Sequence, residues 1–191
     1  MPVLGLVVAG PYDEAILTTF VGRIRPERAT VHCRPCGDDA RVTRFFKELL
    51  EDFKFVNAGG AVDKAIVVRD AHRKPPAQLL GKLMVGFNAS SYSFPVKFVI
   101  VLPEPEAWLL ADHKALSAVG AERGRATTFP PASSSPEILA DPKRELRVRL
   151  GKARVAYTKV AAQRLAELAD IDTIEYWCPS FAQFKAAIKD C

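Results

Sequence analysis

The chain has 191 residues, of which 49% are hydrophobic and 26% charged, with a net charge of +5. This is the composition of a globular domain, and it excludes extended disorder, collagen-like repeats and a long coiled coil. No apolar run approaches the ~18 residues of a membrane span. Met1-Pro2-Val3-Leu4 lacks the basic flank and cleavage site of a secretory signal, so a cytoplasmic location is expected. The length favours a single domain, with an α/β core over 1–112 and a mostly helical C-terminal extension over 113–191.

Val3–Val8 is a continuous apolar run closed by Gly10-Pro11, and it predicts a buried strand. Ile16, Leu17, Phe20, Val21 and Ile24 then share one helical face. A short strand is expected over 29–33. Val42, Phe45, Phe46, Leu49, Leu50 and Phe53 repeat at helical spacing for three turns, with Asp38 or Asp39 as the N-cap. Residues 65–68 read as a buried strand ending at Arg69-Asp70, 77–85 as a helix, and 96–102 as a strand stopped by Pro103. Strands that are apolar on both faces and alternate with amphipathic helices predict an α/β fold, a mainly parallel sheet with helices on both faces. The runs 3–8 and 66–70 should be its central, adjacent strands.

The second half reads as helical. Helices are expected over 106–116, 141–150 and 153–169, separated by a Pro/Ser-rich loop over 127–136. Residues 173–177 suggest a late edge strand. Ser180 and Gln183 have the spacing of a capping box for a last helix carrying Phe181, Phe184 and Ile188.

Charge is unevenly spread. Residues 143–164 hold eight basic residues and one acid, Glu145, so this window is +7 and the rest of the chain −2. Such a stripe suits a polyanion, and it equally suits a solvated helix face. Four cysteines include the pair Cys33-Arg34-Pro35-Cys36. A zinc site would need two further ligands at suitable spacing. Asp38 and Asp39 nearby oppose the thiolate of a redox pair, so ordinary reduced thiols are expected. Phosphate-binding GxxxxGK[ST] and GxGxxG loops and a GxSxG elbow are absent from the sequence.

In an open parallel sheet, ligands bind beyond the carboxyl ends of the strands. The polar residues at those positions are Asp13 and Glu14, then Asp70, His72, Arg73 and Lys74, then Glu104 and Glu106. Asp13, Glu14, Glu104 and Glu106 would also suit the first turn of a helix. Asp70 directly follows a buried strand and is the strongest candidate. Asp70, His72 and Glu106 are the expected ligands of a weakly held Mn²⁺ or Mg²⁺, with Asp70 and Glu106 as catalytic carboxylates. Such an ion polarises a phosphodiester and activates water. Trp108, Leu109 and Leu110 are expected in the core. Arg73, Lys143, Arg144, Tyr157 and Lys159 are candidate nucleic-acid contacts, with Tyr157 equally readable as a packed phenol.

The segments VVAGPYDEAIL (7–17), IVVRDAHR (66–73), LPEPEAWLLAD (102–112), DPKREL (141–146), Tyr157-Thr158-Lys159 and CPSFAQF (178–184) resemble the Toprim-like family catalogued as domain of unknown function 4276. That family is similar to the nuclease-type Toprim domains found beside ATPases in bacterial defence loci. The resemblance implies a Toprim-like sheet, a metal-dependent acidic site and an ATPase partner in a phage-defence-type system. Two of the family's three expected carboxylates are replaced here. The glutamate that ends the first strand is Ala9, and the second acid of an Asp-x-Asp is His72 in Asp70-Ala71-His72. The expected function is therefore a degenerate Toprim-like protein that binds nucleic acid or a partner ATPase. The alternative is a metal-dependent nuclease working at a reduced acidic site. A CxxC redox or zinc protein ranks behind both.

Overall fold

The computed structural model describes residues 2–25, 29–56 and 60–189. Its centre is a sheet of four parallel strands, β1 (Val3–Val8), β2 (Thr30–Pro35), β3 (Lys64–Asp70) and β4 (Val96–Val101), in the order β2-β1-β3-β4. β1 and β3 are adjacent at the centre, as expected for strands that are apolar on both faces. Every residue of β3 is buried, whereas β2 and β4 are only partly so, as befits edges.

Helix α1 (Pro11–Ile24) connects β1 to β2, α2 (Asp39–Asp52) connects β2 to β3, and α3 (Pro76–Met84) connects β3 to β4. The first connection runs outward from β1 in one direction. The second returns past β1 to its other neighbour. Right-handed crossovers then put α1 on one face of the sheet and α2 and α3 on the other. The strand order reverses between β1 and β3, which makes their carboxyl ends the topological switch point.

Two cores follow from this layering. Leu6, Val8, Phe20, Trp108 and Phe181 belong to the α1 side, and Val7, Val67, Phe46 and Phe53 to the α2 side. The chain continues through α4 (Glu106–Ala111), α5 (His113–Arg123), α6 (Pro142–Lys152), α7 (Lys159–Leu168), α8 (Ile171–Trp177) and α9 (Pro179–Lys189). These helices complete the α1 side, with α7 against α1 and α9 against β4. Long-range polar ties secure them. The Arg23 Nη1 donates to the Ala166 carbonyl at 2.7 Å and to that of Ala169. The Lys64 Nζ, on a residue only 1% exposed, donates to the Ala187 carbonyl at 2.8 Å. Among the described residues, no helix is long and apolar enough to cross a membrane.

Several expected elements change under capping chemistry. Residues 173–177 form part of α8 rather than an edge strand, because the Asp170 carboxylate accepts the Thr173 N–H and starts a helix there. The helix expected over 106–116 is two helices. Asp112 takes an extended backbone, and its carboxylate accepts the N–H groups of Lys114 and Ala115 to cap α5. The helix expected over 153–169 begins only at Lys159, where the Thr158 hydroxyl caps it. Ser180 is no capping residue. It lies inside α9, and its hydroxyl accepts from the Trp108 indole at 2.9 Å and from the Leu102 N–H. The expected reduced cysteines are free thiols: Cys33 packs toward the α1-side core and Cys36 toward the α2-side core. Burial pushes both thiols up, to about 12 and about 11.

Gly5 shows how tightly β1 meets the α2 layer. A Cβ there would stand 2.6 Å from two ring carbons of the buried Phe53. Gly5→Ala should therefore destabilise the fold by about 1–3 kcal/mol through overpacking, read as a lower midpoint in urea unfolding. An unchanged midpoint would contradict this packing.

Candidate functional site

Four elements deliver carboxylates to the switch point. Asp13 sits in the first turn of α1, on one face of the sheet. Asp39 is the first residue of α2, on the other. Asp70 ends β3, and Glu104 and Glu106 follow β4. They line a crevice of about 260 Å³ together with His72 and Lys143. Ala9, the residue after β1, lines it too.

Asp70 is buried, 7% exposed. No hydrogen bond to its carboxylate is found among the described residues. Its pKa is pushed well above the ordinary carboxylate range, first by burial and then by the negative charge of Asp13, Asp39, Glu106 and Glu104. Asp13 is raised to about 7, by burial and then by Glu106, although the Gly10 N–H donates to it at 2.8 Å and opposes the shift. Glu104 is raised by burial and by Glu106, while accepting the Lys143 N–H at 2.8 Å.

Asp39 ties the site together. One oxygen accepts the Asp70 N–H at 2.9 Å, and the other lies 2.9 Å from the His72 Nε2. His72 has φ +49, a left-handed backbone uncommon outside glycine, and its N–H donates to the Pro103 carbonyl. The exits of β3 and β4 are thus joined, with the imidazole turned to Asp39. One ligand atom each from Asp39, Asp70 and His72 lies within 4.8 Å of the others. Two carboxylates and an imidazole are a donor set for Mn²⁺ or Mg²⁺, and an unbonded buried carboxylate fits the coordination of a cation.

The structure brings the three expected metal-site residues, Asp70, His72 and Glu106, to one crevice, but the tight triad contains Asp39 in place of Glu106. Glu106, 1% exposed, accepts the Tyr157 hydroxyl at 2.9 Å and faces the Lys143 Nζ at 3.0 Å. Two of the residues read as phosphate contacts therefore direct their polar ends inward. Burial alone would lower the Lys143 pKa, but Glu106, Glu104 and Asp13 outweigh it and the net shift is upward. The Tyr157 phenol is pushed up by burial and by Glu106. Lys159 pairs with Glu14 at 3.1 Å. Arg73 and Arg144 are exposed. Arg73 lines, with His72, Lys74 and Glu104, a second cavity of about 430 Å³ that adjoins the crevice.

Sequence reasoning missed Asp39 as a site residue. The signal was available, since Asp39 lies just beyond the carboxyl end of β2. The strand was expected to stop at 33, too early to bring Asp39 to the sheet's edge. Asp13 stood among the strand-end acids and was equally readable as a helix-start residue. It serves both purposes.

The crowding has a pH signature. Asp13 holds its proton in the folded state up to about 7, against about 3.9 in an unfolded chain. The stability this lends is complete below about pH 4 and is lost as pH rises through about 7. In EDTA, urea unfolding should show wild type weakening between about pH 4 and pH 7. Asp13→Asn keeps an acceptor for Gly10, so it should flatten that slope and gain about 2 kcal/mol at pH 8. An unchanged slope would assign the titration to another group.

A family model described as a domain of unknown function, DUF4276, matches residues 20–189. No curated protein and no solved structure matches the chain. The family match spans β2 to β4 and all the C-terminal helices, including the segments that supply Asp39, Asp70, His72, Glu106 and Lys143. The chain belongs to the DUF4276 family.

Proposed function

We propose that the chain is a Toprim-like phosphodiesterase of the bacterial cytoplasm. It acts on nucleic acid with one divalent cation, in a phage-defence-type system beside an ATPase partner. The observation that carries this reading is the Asp70 carboxylate, buried, without a hydrogen bond among the described residues and facing four other carboxylates. A module that only gripped polyanions would gain nothing from such a cluster, which repels phosphate. With a cation bound, the same cluster attracts it.

Asp39, Asp70 and His72 would hold the ion. It would supply Lewis-acid polarisation of a phosphoryl oxygen. The chain's own groups do the rest. Asp13, buried in the crevice wall, is placed to take a proton there. Lys143 offsets the charge of Glu106 and Glu104. Arg73 and Lys74, beside the crevice, are suited to an adjacent phosphate. The ammonium of Lys143 within the acid cluster favours one cation over a pair. The replacement of two of the family's three carboxylates by Ala9 and His72 supports a second reading, in which the chain binds nucleic acid or the ATPase partner without cutting.

Mn²⁺ at a hundredfold excess over its Kd should raise the melting temperature of wild type by about 5–10 °C. Asp70→Asn and Asp39→Asn should each abolish that rise and any Mn²⁺-dependent nicking of plasmid. Ala9→Glu adds a carboxylate to the crevice lining and should tighten binding. Absence of a Mn²⁺ effect on wild type would reject the cation site. Binding without nicking would favour the second reading.

A further inference from the structure

We infer that the outward face of α6 and the turn after it form a docking rail for a nucleic-acid phosphate backbone, leading away from the acidic crevice. This deepens the proposed function and rests on it for the position of the cut. Helix α6 starts at the crevice, where the Lys143 N–H meets Glu104, and its 11 residues carry the chain ~16 Å away at ~1.5 Å per residue. Leu146 and Leu150 face the core, while Arg144, Arg147, Val148, Gly151 and Lys152 are exposed on the opposite side. Arg154 continues the row. Arg125 joins it, since its N–H donates to the Ala153 carbonyl at 2.7 Å.

The structure sorts the basic window of 143–164 into two classes. Lys143, Arg149, Lys159 and Arg164 are ion-paired with Glu106, Glu145, Glu14 and Glu122. Arg144, Arg147, Lys152 and Arg154 have no carboxylate at ion-pair distance among the described residues. The second class forms the rail. The first class serves the fold and the crevice.

Two residues on this face run against what the fold itself favours. The N–H groups of Arg154 and Val155 return to the carbonyls of Gly151 and Leu150, so α6 ends in a Schellman motif. Arg154 takes the left-handed position of that motif, with φ +59, where glycine is usual. Gly151 lies three residues earlier, within the helix, where alanine would be favoured. A Cβ on Gly151 would meet nothing within 4 Å. Folding alone would exchange these two choices. A phosphate backbone lying along the helix accounts for both, because it rewards an arginine at the end of the row and a position without a side chain for close approach.

Two variants suit the fold and oppose the rail. Arg154→Gly fits the left-handed position and removes a charge. Gly151→Glu enters open space and adds a negative one. A third variant combines Arg144→Gln, Arg147→Gln, Lys152→Gln and Arg154→Gly. Fluorescence anisotropy with a labelled DNA duplex of about 20 base pairs, in EDTA and over a salt series, should give a slope of log affinity against log salt about 3–4 units shallower for the combined variant. Arg154→Gly should lose about one unit, and Gly151→Glu should weaken binding. Wild-type affinity and slope in the combined variant would overturn the rail, as would equal competition by poly-aspartate of matched charge, which would assign the face to an acidic protein. Nicking assays separate the rail from the proposed reaction. Wild type that nicks, with a combined variant that binds and nicks unchanged, removes the rail alone. Wild type that binds without nicking, with binding lost in the combined variant, upholds the rail and removes the cleavage.

Discussion

Mutual repulsion among the carboxylates facing Asp70 is the constraint that organises the rest of the molecule. The sheet creates it. Reversal of the strand order between β1 and β3 sends α1 and α2 to opposite faces, so their first turns bring Asp13 and Asp39 to the same strand ends. The C-terminal half answers it. Lys143, at the start of α6, and the Tyr157 hydroxyl, just before α7, converge on Glu106. Backbone donors serve the remaining acids: Gly10 for Asp13, Lys143 for Glu104, and the N–H of Asp70 itself for Asp39. Only the Asp70 carboxylate is left without such relief among the described residues.

This arrangement gives the helical half a role beyond covering the sheet. Its helices fix the charge balance of a crevice whose acids come mainly from the N-terminal half. The basic window serves two purposes for the same reason. The ion-paired cations of α6 and α7 offset crevice and surface acids, while Arg144, Arg147, Lys152 and Arg154 stay in water. Net charge along the sequence cannot separate these classes, because each turn of a helix alternates between them.

Much of the architecture was legible from patterning. The apolar runs of β1 and β3 and the helical repeat from Val42 to Phe53 gave the parallel sheet and its central strands, because burial on two faces leaves little choice of residue. The misreadings fall where a single polar side chain decides. Thr173, Ile174, Tyr176 and Trp177 have strand-like composition, yet Asp170 caps them into a helix. Ser180 has the spacing of a cap, yet the indole of Trp108 claims its hydroxyl. The site was half legible. Asp70, His72 and Glu106 follow from the strand-end rule, whereas Asp39 depends on where β2 stops. The inward turn of Lys143 and Tyr157 depends on tertiary packing that spacing does not encode.

The tie between Lys64 and Ala187 joins residues 123 positions apart, and that between Arg23 and Ala166 spans 143. A chain elongating from the ribosome thus completes β1, β3 and α1 long before the helices that cover them exist. Until α7 and α9 emerge, the α1 side of the sheet keeps an apolar surface in water, and the Lys64 ammonium lacks its Ala187 acceptor. Closure of that face is a late, non-local event, of the kind that slows folding and leaves nascent chains open to aggregation. The acidic crevice inherits this timing, because Lys143, on α6, and Tyr157, just before α7, reach Glu106 only when the C-terminal half docks.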